Sequence, residues 1–226
     1  MSRTARYYSL GPTGASVAEV WLVCHGYGQL ARYFLRRFAS LDDGSRLIVA
    51  PEGLSRFYLS DPGGSHAKAR VGATWMTRED RLNEIRDYVA YLDAVYQRIA
   101  AGLPRTGVRS VALGFSQGVA TACRWAALGT APVDELILWA ERVPPDLDLP
   151  GTAERLRRMR IVLVAGATDP AASPQALEEE RHRLAQHGIP SDVVTFAGGH
   201  ELDPDTLRVI AQRARDSGRV PGEPVG

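Results

Sequence analysis

Gly114-Phe115-Ser116-Gln117-Gly118 follows an apolar run, Arg109–Phe115, and opens a stretch of small apolar residues, Gln117–Leu128. A serine at such a strand-to-helix junction sits on a sharp turn that lifts its hydroxyl clear of the sheet edge. The flanking glycines remove side chains that would collide there, and a helix N-terminus behind the serine favours developing negative charge. Ser116 is therefore the candidate nucleophile, against the plainer reading of a glycine-rich turn with an ordinary serine. A serine hydroxyl needs a base at neutral pH. Of the five histidines, His200 stands in Gly198-Gly199-His200, just past the last apolar run, on a loop able to reach back to the sheet edge. His25, in His25-Gly26-Tyr27-Gly28, precedes the serine and reads as a residue fixing the neighbouring loop, or as a core histidine. His182 and His187 read as solvated and His66 as a surface residue. The base in turn needs a carboxylate to orient it and to stabilise the imidazolium. Asp169, in Gly166-Ala167-Thr168-Asp169-Pro170, is the candidate, with Glu141 as its competitor one strand earlier. A tetrahedral oxyanion needs two N–H donors. Gln117, next after the serine, supplies one, and Tyr27, between Gly26 and Gly28, supplies the other.

These residues need a scaffold that brings distant loops to one edge. Apolar runs of strand length recur at Glu19–Cys24, Arg46–Ala50, Arg109–Phe115, Glu135–Ala140, Arg160–Ala165 and Asp192–Phe196, with Ala5–Ser9 as an edge strand. They do not alternate with polar residues, as expected of strands covered on both faces. Between them, Leu82, Ile85, Val89, Leu92, Val95 and Ile99 recur at steps of three and four, a helical stripe that Gly102 and Pro104 end. Leu30–Ser40 reads as helical, Pro174–Gln186 as a helix capped by Ser173, and Pro204–Arg215 as one capped by Asp203. Strands alternating with helices imply an α/β fold built on a parallel sheet. Pro51–Arg78 shows no clear period and reads as a long loop over a pocket, carrying Phe57, Tyr58, Trp75 and Met76. One domain over 1–216 and a frayed tail over 217–226 are expected.

Composition narrows the function classes. With 226 residues, 45% of them apolar, the chain has the means to build a core and is not a disordered polymer. No run approaches the roughly 20 apolar residues of a membrane span. Basic and acidic residues number 27 and 26, so nothing asks for nucleic acid as a partner. Cys24 and Cys123 form no C-x-x-C pattern and read as small buried hydrophobes. Met1–Leu10 lacks an apolar signal core, so a cytoplasmic setting is expected. No metal-ligand cluster is visible, and the chemistry calls for no cofactor.

The chain order Ser116, Asp169, His200 is that of α/β-hydrolases. Together, His25-Gly26-Tyr27-Gly28, Gly114-Phe115-Ser116-Gln117-Gly118, the Asp169-Pro170 turn and Gly199-His200 resemble the phospholipase/carboxylesterase family of that fold, which includes small bacterial carboxylesterases and acyl-protein thioesterases. The resemblance spans residues from about 19 to 203. It implies an α/β-hydrolase fold, mostly parallel and with helices on both faces, with Ser116 as nucleophile, Asp169 as acid, His200 as base, and Tyr27 and Gln117 as oxyanion donors. Trp75 resembles the tryptophan the family places before its long helix. Val119, Tyr27, Gln29 and Ala140-Glu141 depart from the family pattern. The serine sets the chain apart from the similar dienelactone hydrolases, which use cysteine. Val143–Pro150 and Glu154–Arg158 leave little room for a lipase-like lid, and Arg155, Arg157 and Arg158 read as a solvated face. The expected activity is hydrolysis of small carboxylic esters, with Tyr27, Phe57, Tyr58 and Trp75 near the substrate. Thioesterase or lysophospholipase activity is the alternative, and a non-catalytic binding protein the alternative of another class. A small-molecule ester is the expected partner, and the protein a monomer or homodimer.

Overall fold

The computed structural model describes residues 4–59 and 69–218; His66 and residues 219–226 lie outside them. In chain order the strands are β1 (Tyr7–Leu10), β2 (Glu19–Cys24), β3 (Arg46–Pro51), β4 (Ser55–Tyr58), β5 (Val71–Thr74), β6 (Arg109–Phe115), β7 (Glu135–Trp139), β8 (Arg160–Gly166) and β9 (Ser191–Phe196). The helices are α1 (Ala31–Phe34), α2 (Arg81–Ala100), α3 (Gln117–Leu128), α4 (Leu149–Leu156), α5 (Pro174–Gln186) and α6 (Pro204–Gly218), and a 3-10 segment, Leu35–Leu41, continues α1.

Seven strands form one sheet in the order β1-β3-β2-β6-β7-β8-β9, with β1 antiparallel at the edge and the rest parallel. The continuous apolar runs have the predicted cause: both sheet faces are covered. Val20, Leu22 and Cys24 of β2 join a core with α2, α3, α4 and α5, while Trp21 and Val23 face α1, the 3-10 segment and α6. The N-terminal edge of the sheet carries a row of charges alternating in sign. Arg46 (β3) binds Glu19 (β2) at 2.6 Å, Glu19 meets Arg109 (β6) at 3.5 Å, and Arg109 binds Glu135 (β7) at 2.5 Å. Glu135 then meets Arg160 (β8) at 3.3 Å, and Arg160 meets Asp192 (β9) at 3.3 Å.

Four sequence expectations are corrected. The segment after Pro51 is not a plain loop: β4 and β5 pair antiparallel, with Phe57 opposite Gly72. Neither Ser-Arg-Phe-Tyr nor Val-Gly-Ala-Thr alternates apolar with polar residues, so neither shows a strand period. The buried stripe of α2 runs through Ile85, Tyr88, Leu92 and Val95, and Leu82 is exposed because it lies in the first turn, ahead of the core contacts. α6 reaches Gly218, past the expected start of the tail. Arg155 does not belong to a solvated face: it is half-buried and donates to the carbonyls of Ala126 and Ala131, whereas Arg157 and Arg158 are exposed as expected. The caps stand as read, with Ser173 Oγ accepting from Ala176 N and Asp203 Oδ1 from Thr206 N. No helix of the described residues is long and apolar enough to cross a membrane.

Candidate active site

Ser116 stands between β6 and α3 at φ 53° and ψ −123°, a conformation L-residues rarely hold. Its neighbours explain why the chain tolerates it. A Cβ on Gly114 would lie 2.3 Å from the Gly118 carbonyl oxygen, and one on Gly118 would lie 2.1 Å from that of Cys24. Only glycine at both positions lets α3 start this close to the strands. The turn places Ser116 in a cleft of about 230 Å³, lined also by Gly26, Tyr27, Gln29, Phe115 and His200.

His200 reaches this cleft from the loop after β9. Its Nδ1 lies 3.0 and 3.1 Å from the two carboxylate oxygens of Asp169, and its ring packs on Phe115 at 5.1 Å between centroids. The loops carrying the pair are laced together, with Thr168 N and Oγ1 both donating to the Gly198 carbonyl at 2.9 Å. Gly166 has to be glycine here, because a Cβ would stand 2.4 Å from the carbonyls of both Gly198 and Gly199. Asp169 is buried and also accepts from Ala171 N at 2.8 Å, which fixes the carboxylate before the imidazole meets it. Just past His200, the Glu201 carbonyl accepts from the indole N–H of buried Trp139 at 2.7 Å. Ser116 and His200 share the cleft walls without a direct hydrogen bond in this structure. Glu141 turns its carboxylate to its own neighbour's amide, Arg142 N, at 3.0 Å and lies in another cavity.

The Gly26–Gln29 turn forms the opposite wall. Gln29 Oε1 accepts from Gly26 N at 2.8 Å, and Gln29 N donates to Gly26 O at 3.2 Å. The Tyr27 and Gln117 N–H groups have no acceptor among the described residues, and both belong to segments lining the Ser116 cleft. His25 anchors the turn from behind. Its Nε2 accepts from Gly53 N at 2.9 Å, so its proton sits on Nδ1, 2.8 Å from the Gly26 carbonyl. Burial lowers its pKa and keeps the ring neutral, as an acceptor role requires.

Trp75, expected near the substrate, is 2% exposed. It packs on His25 and donates its indole N–H to the His25 carbonyl at 2.8 Å, so it supports the turn and does not face the cleft. Phe57 stacks on Tyr27 at 5.0 Å and Tyr58 is exposed beside it; of these four aromatics only Tyr27 lines the cleft. The Gln117 side chain faces away from the cleft, bonding Thr74 Oγ1 and the Met76 carbonyl at 2.8 and 3.0 Å.

Sequence reasoning missed Glu52. Its buried carboxylate accepts from Arg6 at 2.7 Å, Arg56 at 2.6 Å and Ala31 N at 3.2 Å, tying the residue ahead of β1 to β4 and α1 under the turn. The available signal was an acidic residue directly after the apolar run 47–51. Among the described residues, no group of three or more His, Cys, Asp or Glu side chains is placed to hold a metal ion.

No protein-family model matches the sequence, and no curated protein is similar to it. Its fold is that of solved α/β-hydrolases. Acyl-protein thioesterase 2 of Zea mays superposes with a TM-score of 0.70 at 16% identity, covering 94% of this chain and 99% of that one. The Bacillus cereus carboxylesterase gives 0.65 at 16% identity, covering 94% of each chain. The carboxylesterase of Mesorhizobium loti gives 0.64 at 21% identity, covering 95% of each.

Proposed function

We propose that the protein is a serine hydrolase acting on small carboxylic esters through an acyl-enzyme. The observation that carries this is Ser116, held at positive φ in the same cleft as a histidine whose far nitrogen is bound to a buried aspartate. His200 takes the hydroxyl proton as Ser116 Oγ attacks the acyl carbonyl, and Asp169 holds the imidazolium that forms. The Tyr27 and Gln117 N–H groups receive the oxyanion. As the tetrahedral intermediate collapses, His200 returns the proton to the leaving alcohol. Water, deprotonated by His200, then attacks the acyl-enzyme and releases the acid. The cleft volume of about 230 Å³ supports a short acyl group.

Reaction with a fluorophosphonate probe tests the reading: the wild type is labelled and Ser116→Ala is not. An unlabelled wild type sinks it in favour of a non-catalytic binding protein. The acyl-protein thioesterase of the same fold keeps a second reading in play. Turnover of short 4-nitrophenyl esters against long-chain acyl thioesters separates the two, and a large excess for the thioesters reverses the choice.

A further inference from the structure

On the esterase reading, the surroundings of Ser116 point to a substrate class. The Ser116 cleft shares a wall of Gln29, Phe34 and Arg37 with a second cavity of about 600 Å³. Arg37 is thus the charged side chain common to both. It is exposed and makes no hydrogen bond or ion pair among the described residues. Arg70, in the wall of the second cavity, is likewise unpaired there. Other arginines nearby are engaged: Arg6 and Arg56 bind Glu52, and Arg32 binds the Tyr33 hydroxyl. No described carboxylate lines the second cavity; Glu201, beside His200, lines only the Ser116 cleft.

Two further arginines, Arg32 and Arg36, stand over the Tyr33 ring in the cavity wall. Tyr33 lines it, and its phenol is held below the ordinary tyrosine pKa by the hydrogen bond and charge of Arg32, with a further contribution from Arg36. A wall next to a nucleophile and furnished with two unpaired guanidinium forks is matched to a planar or tetrahedral oxyanion.

We propose that Arg37, assisted by Arg70, forms an anion subsite, and that the preferred substrates are esters bearing a carboxylate or phosphate on the part extending from Ser116 into the second cavity. Arg37 acts there as a specificity residue, touching substrate at a point remote from the reacting carbonyl.

Two matched pairs test this. One is mono(4-nitrophenyl) adipate against its methyl ester, with the anion on the acyl side. The other is the acetate ester of 4-hydroxyphenylacetate against its methyl ester, with the anion on the alcohol side. In at least one pair the anionic member should show about tenfold higher kcat/KM at low salt, the scale of one charged hydrogen bond at a half-open site. The advantage should lie in KM and shrink as salt is added. It should vanish in Arg37→Gln and persist in Arg37→Lys, read as the ratio of the anionic to the neutral member within each variant, with the thermal midpoint unchanged in both. An enzyme labelled at Ser116 that shows no anion preference in either pair, or acts on none of the four esters, overturns the subsite alone. A preference surviving in the Arg37→Gln/Arg70→Gln double variant does the same. Absence of both labelling and turnover overturns the esterase reading, and the subsite with it.

Discussion

A Cβ on Gly72 would stand 2.4 Å from the carbonyl oxygen of Gly28, so the β4–β5 hairpin and the turn beside Ser116 touch backbone to backbone. Two hydrogen bonds close the contact: Gly28 N donates to Ala73 O at 2.9 Å, and Ala73 N to Gln29 O at 3.2 Å. Tyr27, the candidate oxyanion donor, precedes the clamped residue. The hairpin is thus a brace for the turn as well as a cover near the cleft.

Gly72→Ala tests the brace. The Leu59 side chain at 2.7 Å can swing aside, but the Gly28 backbone, with its carbonyl oxygen at 2.4 Å and Cα at 2.7 Å, cannot, so the turn itself has to move. Misplacing one oxyanion donor should lower kcat on 4-nitrophenyl acetate by about 100-fold, with the overall secondary-structure content unchanged by circular dichroism. A kcat equal to wild type would show that the hairpin does not position Tyr27.

Asp169 and Glu141 give opposite expectations. Asp169→Asn keeps the shape but disturbs the imidazole's tautomer and loses its counter-charge, so kcat should fall by about 10,000-fold. Glu141→Gln alters a carboxylate bound only to Arg142 N, and kcat should stay within about twofold. The reverse ranking would move the acid to β7.

Glu52 sets a pH dependence of stability. Burial alone would raise its pKa, but the hydrogen bonds and charges of Arg6 and Arg56 outweigh it and hold the carboxyl below the ordinary value of 4.5. A depressed native pKa adds stability at pH values above the unfolded pKa, and that increment is lost as pH falls through the native one. Urea midpoints should therefore fall below about pH 4.5, and Glu52→Gln should flatten that acid limb. A variant with an acid limb as steep as wild type would assign the loss to other carboxylates.

Much of this was legible in the sequence, and the residues show where legibility stopped. The apolar runs at Glu19–Cys24 and Arg109–Phe115 marked strands because both faces are buried, and that property is local. The strained serine was legible through Gly114 and Gly118: Gly114 answers a contact inside the turn itself, and Gly118 one with the end of the neighbouring strand at Cys24. Trp75 was misread because residue type gives no direction: an aromatic near a pocket and one behind its wall look alike until His25 is seen beneath it. Arg37 gave no signal, because its meaning lies in the absence of partners in space. The charged residue near the start of each central strand was visible, but its purpose was not. In chain order the signs run Glu19, Arg46, Arg109, Glu135, Arg160, Asp192, and only the spatial order β3-β2-β6-β7-β8-β9 makes them alternate.

That row yields the last prediction. Glu135 lies between Arg109 and Arg160 with its side chain fully buried. Burial raises its pKa even though both arginines pull the other way, so its ionised form is held at a cost in desolvation. Glu135→Ala leaves two guanidinium groups facing an apolar gap and should destabilise the protein by about 3 kcal/mol, read from urea unfolding. Removing Arg160 as well takes away one stranded charge. The double variant Glu135→Ala/Arg160→Ala should therefore lose less than the sum of the single losses, a coupling measurable by a double-mutant cycle. Because the row sits at the N-terminal ends of strands whose C-terminal ends carry Ser116 and Asp169, kcat should stay within about twofold in every member of the cycle. Additive losses would mean that the alternating charges are independent neighbours, and a fall in kcat would mean that strain at one edge of the sheet reaches the other.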